Sequence, residues 1–215
     1  MSILSSYFDK IYCINLDERI ERWTQSKEEF SRVGFNEVTR FSGINGATLD
    51  LSNVYHNTYI DEGHRGVTET HIEIISEAKK NKYNSIMIME DDVYFTDEVF
   101  NLSKFMQSVP KDWDALYFGG KNLEETSVVN KDIVRLNKTY NLHCFAIKNT
   151  IYDSALSLLK ERLHYADGSY AILQKTEGVN TYGVTPFFAY QRAGYSDTRE
   201  KFLTEEEINN NGRKN

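Results

Sequence analysis

The chain has 215 residues, 40% of them hydrophobic, with only two prolines and a formal charge of −7. Length and composition are enough for the core of one compact domain, which excludes a disordered or linker-rich protein. The basic residues are scattered over an acidic chain, so a broad phosphate-binding face is not expected. We therefore predict no nucleic-acid partner.

The N-terminus shows no basic stretch followed by a long apolar run, so it does not predict a signal peptide. No apolar run approaches the roughly 20 residues that a membrane helix needs. Cys13 and Cys144 both lie in predicted buried strands, where free thiols behave as small hydrophobes. We expect a cytoplasmic protein with no transmembrane segment and no disulfide.

The first half of the chain alternates predicted strands with predicted helices. Apolar runs predict strands over Lys10–Asn15, Val38–Phe41 and Ser85–Met89. Asp17 is the predicted N-cap of a first helix that ends at Gly34, and its apolar face is formed by Ile20, Trp23, Phe30 and Val33. Residues 47–62 are polar and aperiodic, which predicts a long loop. The second helix has an apolar face of Val67, His71, Ile74, Ile75 and Ala78.

The second half continues the pattern. Thr96 and Thr150 are predicted to cap helices, and the first of these ends before Pro110. Further strands are predicted at Ala115–Phe118, at Ile133–Leu136 paired with Leu142–Ile147, and at Tyr182–Phe188. Residues 167–174 predict a short helix, and Thr204-x-x-Glu207 predicts a capping box for a terminal helix.

This alternation predicts an α/β fold with a mainly parallel sheet and helices on both faces. We assign residues 1–200 to one domain and residues 201–215 to a C-terminal helix and polar tail. Ligands of such sheets bind beyond the carboxyl ends of the strands. Asn15–Arg19, Glu90–Asp92 and Gly119–Lys121 each follow a predicted strand, so we expect the three segments to meet at one edge.

The three carboxylates of Glu90–Asp92 directly follow the apolar run SIMIM. In extended chain, alternate side chains share a face, so Glu90 and Asp92 should point together and Asp91 away. Two hard oxygen ligands suit Mg²⁺ or Mn²⁺, which can bridge a diphosphate and stabilise its departure. A solvated turn capped by Asp92 is the competing interpretation.

Several segments between Ile11 and Thr198 occur in a recognisable order. They are YCINLDERIER (Tyr12–Arg22), FSGING (Phe41–Gly46), GVTETH (Gly66–His71), IMEDDV (Ile88–Val93), DWDALYFGG (Asp112–Gly120), the strand and helix of His143–Leu159, and VTPFFAYQRAGYSD (Val184–Asp197). This series resembles glycosyltransferase family 25, the lipopolysaccharide-type and collagen-type galactosyltransferases. The sequence departs from the family pattern at Val67, where Cys is usual, and at Glu69-Thr70, where Leu-Ser is usual.

The resemblance implies a GT-A fold that binds a UDP-sugar through Mn²⁺ and transfers the sugar to a glycan acceptor with inversion. It implies Asp92 as the direct metal ligand, with Glu90 as a second ligand, or Glu90 or Asp91 holding the ribose or a metal-bound water. Asn15, Leu16 and Arg19 would border the nucleotide. UDP-galactose is the first candidate donor.

An inverting transferase needs a general base for the acceptor hydroxyl. Asp167 is our candidate, because it opens a predicted helix at the position that resembles the family's V-D motif; an N-cap is the competing interpretation. Further candidates for ligand contact are Gly119, Gly120, Lys121 and Gln191, together with Asp197, which can alternatively cap a turn. We interpret Arg22 as a solvated charge, and His71 and His143 as core histidines.

Three other functions are alternatives to a glycosyltransferase. A sugar nucleotidyltransferase would carry a glycine-rich loop after the first strand, and CINLDERIER has no glycine there. A phosphatase of the Asp-x-Asp-x-Thr type would need a second Asp two residues after Asp92, where Tyr94 stands. A catalytically silent sugar- or nucleotide-binding protein on the same scaffold stays open, because of the altered GVTETH segment.

Overall fold

The computed structural model describes residues 3–49, 60–196, 201–204 and 207, which form five α-helices and fourteen strands. The helices are α1 (Ile20–Val33), α2 (Glu62–Lys80), α3 (Leu102–Ser108), α4 (Tyr152–Glu161) and α5 (Ala166–Gln174). The strands are β1 (Lys10–Leu16), β2 (Thr39–Gly43), β3 (Ser85–Glu90), β4 (Val93–Phe95), β5 (Ala115–Tyr117), β6 (Lys121–Asn122), β7 (Ser127–Asn130), β8 (Ile133–Arg135), β9 (Thr139–Tyr140), β10 (Cys144–Lys148), β11 (Thr181–Val184), β12 (Ala189–Gln191), β13 (Gly194–Ser196) and β14 (Lys201–Leu203).

Eight of these strands form the central sheet, in the order β2-β1-β3-β10-β5-β11-β8-β7. β1 pairs in parallel with β2 and β3, and β5 pairs in parallel with β11. β10 is antiparallel to β3 and β5, and β8 is antiparallel to β11 and β7. Six strands therefore run in one direction and two are reversed, which confirms the predicted α/β class with a mainly parallel sheet.

Strand β3 shows why the sheet is covered on both faces. Met87 and Met89 pack in one core cluster with residues of α1 and α3, while Ile86 and Ile88 pack in a second cluster with residues of α2 and α4. A strand buried on both faces is apolar throughout rather than alternating. The uninterrupted SIMIM run is therefore explained by two helical layers, one on each face.

Helix boundaries follow local signals at some ends and tertiary contacts at others. Gly34 adopts a left-handed φ of 77° directly after α1, as predicted for a helix stop. The prediction of Asp17 as the N-cap is wrong: α1 begins at Ile20 after Arg19, and Asp17 forms a 2.7 Å ion pair with Arg40. Ile20 is 72% exposed, so the buried face of α1 begins later than predicted.

Helix α2 begins five residues before Val67, because Asp61 caps it by accepting a 2.9 Å hydrogen bond from the backbone N–H of His64. Thr96 and Thr150 make no side-chain capping bond. Thr96 is followed by a short 3-10 helix at Asp97–Asn101, whereas Thr150 lies within the 3-10 helix Asn149–Ile151 that precedes α4. Thr150 instead donates a 2.6 Å hydrogen bond to Asp114.

The predicted pairing of Ile133–Leu136 with Leu142–Ile147 is also wrong. β8 pairs with β7 and β11, whereas β10 lies between β3 and β5. The polar residues that suggested a hairpin contain β9, which pairs with β6 and carries the chain away from β8. Sequence reasoning missed β7, whose exposed Val128 and Val129 give no burial pattern of a strand.

Several predictions concern residues near or outside the ends of the described ranges. Thr204 and Glu207 exchange the capping-box hydrogen bonds, 2.9 Å and 3.1 Å long. Most of the predicted terminal helix, residues 50–59 of the predicted loop, and Asp197 lie outside the described residues, and the division at residue 200 stays a prediction. Cys13 and Cys144 are buried free thiols, as predicted. Within the described ranges no helix is long and apolar enough to cross a membrane.

Candidate active site

A cavity of about 760 Å³ opens at the carboxyl ends of β1 and β3. Its lining contains a carboxylate cluster (Glu90, Asp91 and Asp92), an arginine cluster (Arg19, Arg22 and Arg192) and a wall formed by α2 and the start of α5. This α2–α5 wall comprises His64, Val67, Tyr165, Ala166 and Asp167. Two of the three predicted segments thus contribute to one site, through Arg19 and through the carboxylates.

The carboxylate cluster divides as the strand geometry predicts. The side-chain amide of Gln191 lies 3.4 Å from Glu90 Oε2 and 3.2 Å from Asp92 Oδ2, so these two carboxylates face the same group. Asp91 points the other way, where its oxygens accept hydrogen bonds from Asn15 Nδ2 at 2.7 Å and Arg22 Nη1 at 3.0 Å. The alternation confirms the predicted orientation of the triplet.

The backbone of this turn is held by side chains that come from distant parts of the chain. The Asp91 carbonyl accepts hydrogen bonds from Ser26 Oγ at 2.8 Å and from Arg192 Nη2 at 2.6 Å. The Asp92 carbonyl accepts a third, from the Arg192 backbone N–H at 2.7 Å. Glu90 and Asp92 are therefore fixed in place by the protein itself, as pre-organised ligands require.

Electrostatics distinguish Glu90 and Asp92 from ordinary acids. Burial, and after it the neighbouring carboxylates Asp92 and Asp167, raise the pKa of Glu90 well above its usual range. Burial and the Asp91 charge raise the pKa of Asp92 to about 6, although Arg22 and Arg192 oppose the rise. Among the described residues Asp92 Oδ1 is buried without a hydrogen-bond partner. The cluster thus places more carboxylates together than the neighbouring arginines compensate.

The interpretation of Arg22 as a solvated charge is wrong. Its side chain is 19% exposed, forms the ion pair with Asp91 and donates to the backbone carbonyl of Tyr195. Arg19 lies over the Tyr195 ring, 5.5 Å from the guanidinium carbon to the ring centroid. Sequence reasoning missed Arg192 and Tyr195; the signal was their place in the segment that contains Gln191.

The model of glycosyltransferase family 25 (LPS biosynthesis protein) matches residues 8–183. The chain belongs to this family. A GT-A fold is what the resemblance implied for family 25, and the mixed, mostly parallel sheet with helices on both faces agrees with that expectation.

Relatives of this family 25 chain include a glycosyltransferase 25 family member of Drosophila pseudoobscura pseudoobscura, 27% identical over 137 residues, or 55% of this chain. Procollagen galactosyltransferase 1 of Danio rerio is 26% identical over 138 residues, or 54% of this chain. Each match spans 22% of the relative's length.

Two solved structures are also similar. A197 from STIV has a TM-score of 0.44 and 16% identity, with 91% of this chain and 93% of that one covered. A glycosyltransferase involved in glycosylation of the major capsid of PBCV-1 has a TM-score of 0.41 and 11% identity, with 69% and 65% covered.

Residues of the family 25 opening segment lie beside and beneath the cavity. Asn15 is 1% exposed and donates from its side chain to Asp91 and to the Arg19 carbonyl, so it supports the cluster from below. Leu16 ends β1 and, like Asn15, does not line the cavity. Of the predicted nucleotide-binding residues in this segment, Arg19 is the one that reaches the cavity.

The Gly119–Lys121 segment does not line the cavity, and its glycines have a packing reason. A side chain at Gly119 would meet the Ala189 carbonyl at 2.1 Å and the His143 ring at 2.3 Å. Gly120 has φ of 156°, and a side chain there would meet Thr139 at 2.6 Å. Lys121 lies in β6, which pairs with β9.

Asp167 lines the cavity as the second residue of α5, after the N-cap Tyr165, so the N-cap interpretation is wrong. It is close enough to Glu90 to raise the pKa of that carboxyl. His71 is a fully buried core histidine, as predicted, with Nδ1 3.1 Å from the Tyr170 hydroxyl. His143 is buried as well, and its Nε2 lies 3.0 Å from the Ala189 carbonyl.

Glu69 and Thr70, which depart from the family pattern, make hydrogen bonds and an ion pair outside the carboxylate cluster. Glu69 forms an ion pair with Arg162 at 2.6 Å, and the Thr70 hydroxyl bonds to the Gly66 carbonyl and to the backbone N–H of Ile44. Val67 lines the cavity without replacing any polar group of the carboxylate cluster. The carboxylates of this family 25 chain are therefore intact.

Proposed function

We propose that the chain is a metal-dependent glycosyltransferase that transfers a sugar from a UDP-sugar to a glycan acceptor with inversion. The observation that carries the proposal is the buried, unpartnered Oδ1 of Asp92 beside Glu90, in the cavity of a family 25 chain. Galactose is the first donor sugar to test, because one relative is named a procollagen galactosyltransferase.

The carboxylate pair suits Mn²⁺ or Mg²⁺. In the described part of the chain no group of three or more His, Cys, Asp or Glu side chains can hold a metal ion by itself. Mg²⁺-type sites commonly use one or two carboxylates and complete their coordination with water and substrate phosphates. Asp92 as a direct ligand and Glu90 as a second ligand fit that rule, because a cation would offset the burial and the like-charge repulsion that raise both pKa values.

The metal would supply Lewis-acid stabilisation of the departing diphosphate. The chain's own contribution is to hold the reactants and the proton. Arg19 binds on the nucleotide side, and Arg22 and Arg192 hold the turn that carries Asp92. The acceptor oxygen attacks the anomeric carbon as the bond to the diphosphate breaks, and the hydroxyl proton passes to Asp167. A single displacement of this kind inverts the anomeric centre and needs no covalent nucleophile.

A silent binding protein is the alternative that the altered GVTETH segment kept open. The structure offers no support for it, because Glu69 and Thr70 are engaged in local contacts and the carboxylates are retained. Asp167 also remains in the cavity. The enzyme is therefore the function that the site favours.

The test is release of UDP from UDP-galactose, UDP-glucose and UDP-N-acetylglucosamine, each with and without Mn²⁺. Water replaces a missing acceptor slowly, so we expect metal-dependent hydrolysis of one donor. Asp97→Asn, an exposed carboxylate outside the cavity, is the matched control and should hydrolyse at the wild-type rate. Metal-dependent UDP binding without release from any donor would support the silent scaffold instead.

A further inference from the structure

His64 and Tyr165 form an aromatic pair on the α2–α5 wall of the cavity. Their ring centroids lie 4.1 Å apart at an interplanar angle of 33°. His64 belongs to the first turn of α2, and Tyr165 directly precedes α5. Both side chains line the cavity, and Tyr165 is 36% exposed, so the pair is a surface that a ligand can reach.

The imidazole of His64 is held in one orientation. Its Nδ1 lies 2.8 Å and 2.7 Å from the two carboxylate oxygens of Asp61. A carboxylate accepts, so Nδ1 carries the proton, and Nε2 of the neutral ring is then an acceptor. Asp61 already caps α2 through the backbone N–H of His64, so helix capping does not require this second contact.

The pair is also close to the proposed base. Tyr165 is two residues before Asp167, and two residues of chain span at most about 7 Å. Both side chains line the same cavity, so an acceptor sugar whose hydroxyl reaches Asp167 can also contact Tyr165. The carboxylate and arginine clusters, which would hold the donor diphosphate and nucleotide, are contributed by other elements of the cavity.

We propose that His64 and Tyr165 form the subsite for the acceptor sugar, a pyranose, an inference that rests on the proposed function. The C–H face of a pyranose packs on the electron-rich face of an aromatic ring. A hydroxyl of the same sugar donates a hydrogen bond to Nε2 of His64. Because Asp61 and the ring contact fix both side chains before binding, little side-chain freedom is lost when the sugar arrives.

This assignment explains a feature that the core does not require. Tyr165 lies at the surface, unlike Tyr170, which is buried within α5. A tyrosine at the mouth of a polar cavity, held against a histidine, is the kind of aromatic surface that carbohydrate-binding sites use to combine an apolar contact with a hydrogen bond.

The test is binding of methyl β-galactoside and methyl β-glucoside, followed by saturation-transfer NMR with UDP and Mg²⁺ present. Wild-type protein should transfer saturation to the ring protons of at least one glycoside. Tyr165→Leu should weaken that binding about fivefold to tenfold, the equivalent of losing one aromatic contact. His64→Gln should weaken it as well, and provides a second variant if the first does not fold.

The matched control is His164→Gln, an exposed histidine next to Tyr165 in the chain that does not line the cavity. It should bind the glycosides as wild type does. UDP binding of both subsite variants should be unchanged, because neither side chain belongs to the proposed nucleotide region. Equal glycoside binding by wild type and both variants, or none by wild type, would overturn the subsite.

The subsite and the proposed function fail in different ways. Absence of metal-dependent UDP binding, with glycoside binding that still depends on Tyr165, would contradict the transferase and keep a sugar site. UDP binding that is retained while glycosides bind independently of Tyr165 would contradict the subsite alone. A loss of UDP binding in Tyr165→Leu would assign the aromatic pair to the donor and overturn the inference.

Discussion

Carboxylates lie at both edges of the central sheet, where β3 and β5 begin and end. The two edges differ in how completely these carboxylates are hydrogen-bonded. Asp114 directly precedes β5, and its two oxygens accept hydrogen bonds from Thr150 Oγ at 2.6 Å and from the Asn180 backbone N–H at 2.8 Å. Glu90 ends β3 and Asp92 follows it; β3 runs in the same direction as β5, so both carboxylates lie at the opposite edge. There the carboxylates face each other, and Asp92 Oδ1 has no partner among the described residues.

The difference separates carboxylates that stabilise the fold from those that await a ligand. A buried carboxylate with both oxygens satisfied connects the elements around it, as Asp114 connects the start of β5 with the segments that lead into α4 and β11. Partly buried carboxylates whose pKa values are raised by burial and by neighbouring carboxylates weaken the free protein, and they are expected where a cation or substrate binds. Asp91 belongs to the first kind although it stands between two of the second.

Substitution of the proposed base, Asp167, should have the largest effect. Asp167→Asn removes the proton acceptor but keeps the shape of the side chain, so transfer should fall by about 10²- to 10⁴-fold. UDP binding with Mn²⁺ should be unchanged, because Asp167 is not a proposed metal ligand. Steady-state kinetics and a binding titration on the same preparation measure the two effects. Transfer at the wild-type rate would remove Asp167 as the base.

A buried group without any charged partner provides a second comparison. Burial lowers the pKa of His71 to about 4, from 6.5 in an exposed histidine. Between pH 6.5 and about 4 the unfolded chain therefore binds a proton at His71 that the folded chain does not bind. The free energy of unfolding should fall as the pH drops through this range. Integrated over this window, the loss is about 3 kcal/mol.

Urea unfolding at several pH values measures this loss, with His71→Gln as the comparison. The variant should retain a shallower dependence, because the pKa of His143 is also lowered to about 4. Identical pH dependence in the variant and the wild type would show that the folded protein protonates His71 as readily as the unfolded chain does.

Asp114→Asn tests the edge at which both carboxylate oxygens are hydrogen-bonded. An amide can accept from only one side, so either the Thr150 hydroxyl or the Asn180 N–H loses its acceptor. An unsatisfied buried donor costs roughly 1–3 kcal/mol, and the free energy of unfolding should fall by that amount. UDP binding at the opposite edge should not change. A neutral effect on stability would mean that water replaces the carboxylate.

At the edge that carries Glu90 and Asp92, substitution of a carboxylate should change the free energy of unfolding in the opposite direction. Asp92→Asn removes one of the repelling charges, so the protein without ligand should become more stable, by about 1–2 kcal/mol at neutral pH. Thermal and urea unfolding without metal measure the change. Destabilisation by Asp92→Asn would contradict the distinction between the two edges.

Much of the fold follows from local pattern, and the exceptions are long-range. The strand at Ser85, the end of α1 at Gly34 and the α/β class were predictable from apolar runs and one glycine. Asp17 is a good N-cap by residue type, but Arg40 binds it from β2. The placement of β10 between β3 and β5 has no local signal, since the sheet order joins strands from three separate regions.

The same division applies to the site. Strand alternation predicted the shared direction of Glu90 and Asp92, although β3 ends at Glu90 and Asp92 lies in the turn that follows. That Arg192 holds the Asp91 carbonyl from 101 residues away does not. Gly119 was predicted to contact a ligand, but the group that approaches it closely is the Ala189 carbonyl. Sequence identifies which residues have unusual requirements, while the partner is decided by tertiary structure.

Thermal unfolding with UDP, with and without Mn²⁺, is the most direct test of whether Asp92 holds a metal ion that binds UDP. A ligand present at a hundred times its dissociation constant stabilises the folded state by about 2.7 kcal/mol, which a shift in Tm reveals. We predict a shift in wild type when both UDP and Mn²⁺ are present, and its loss in Asp92→Asn. A shift that is independent of Mn²⁺, or that persists in Asp92→Asn, would contradict the account.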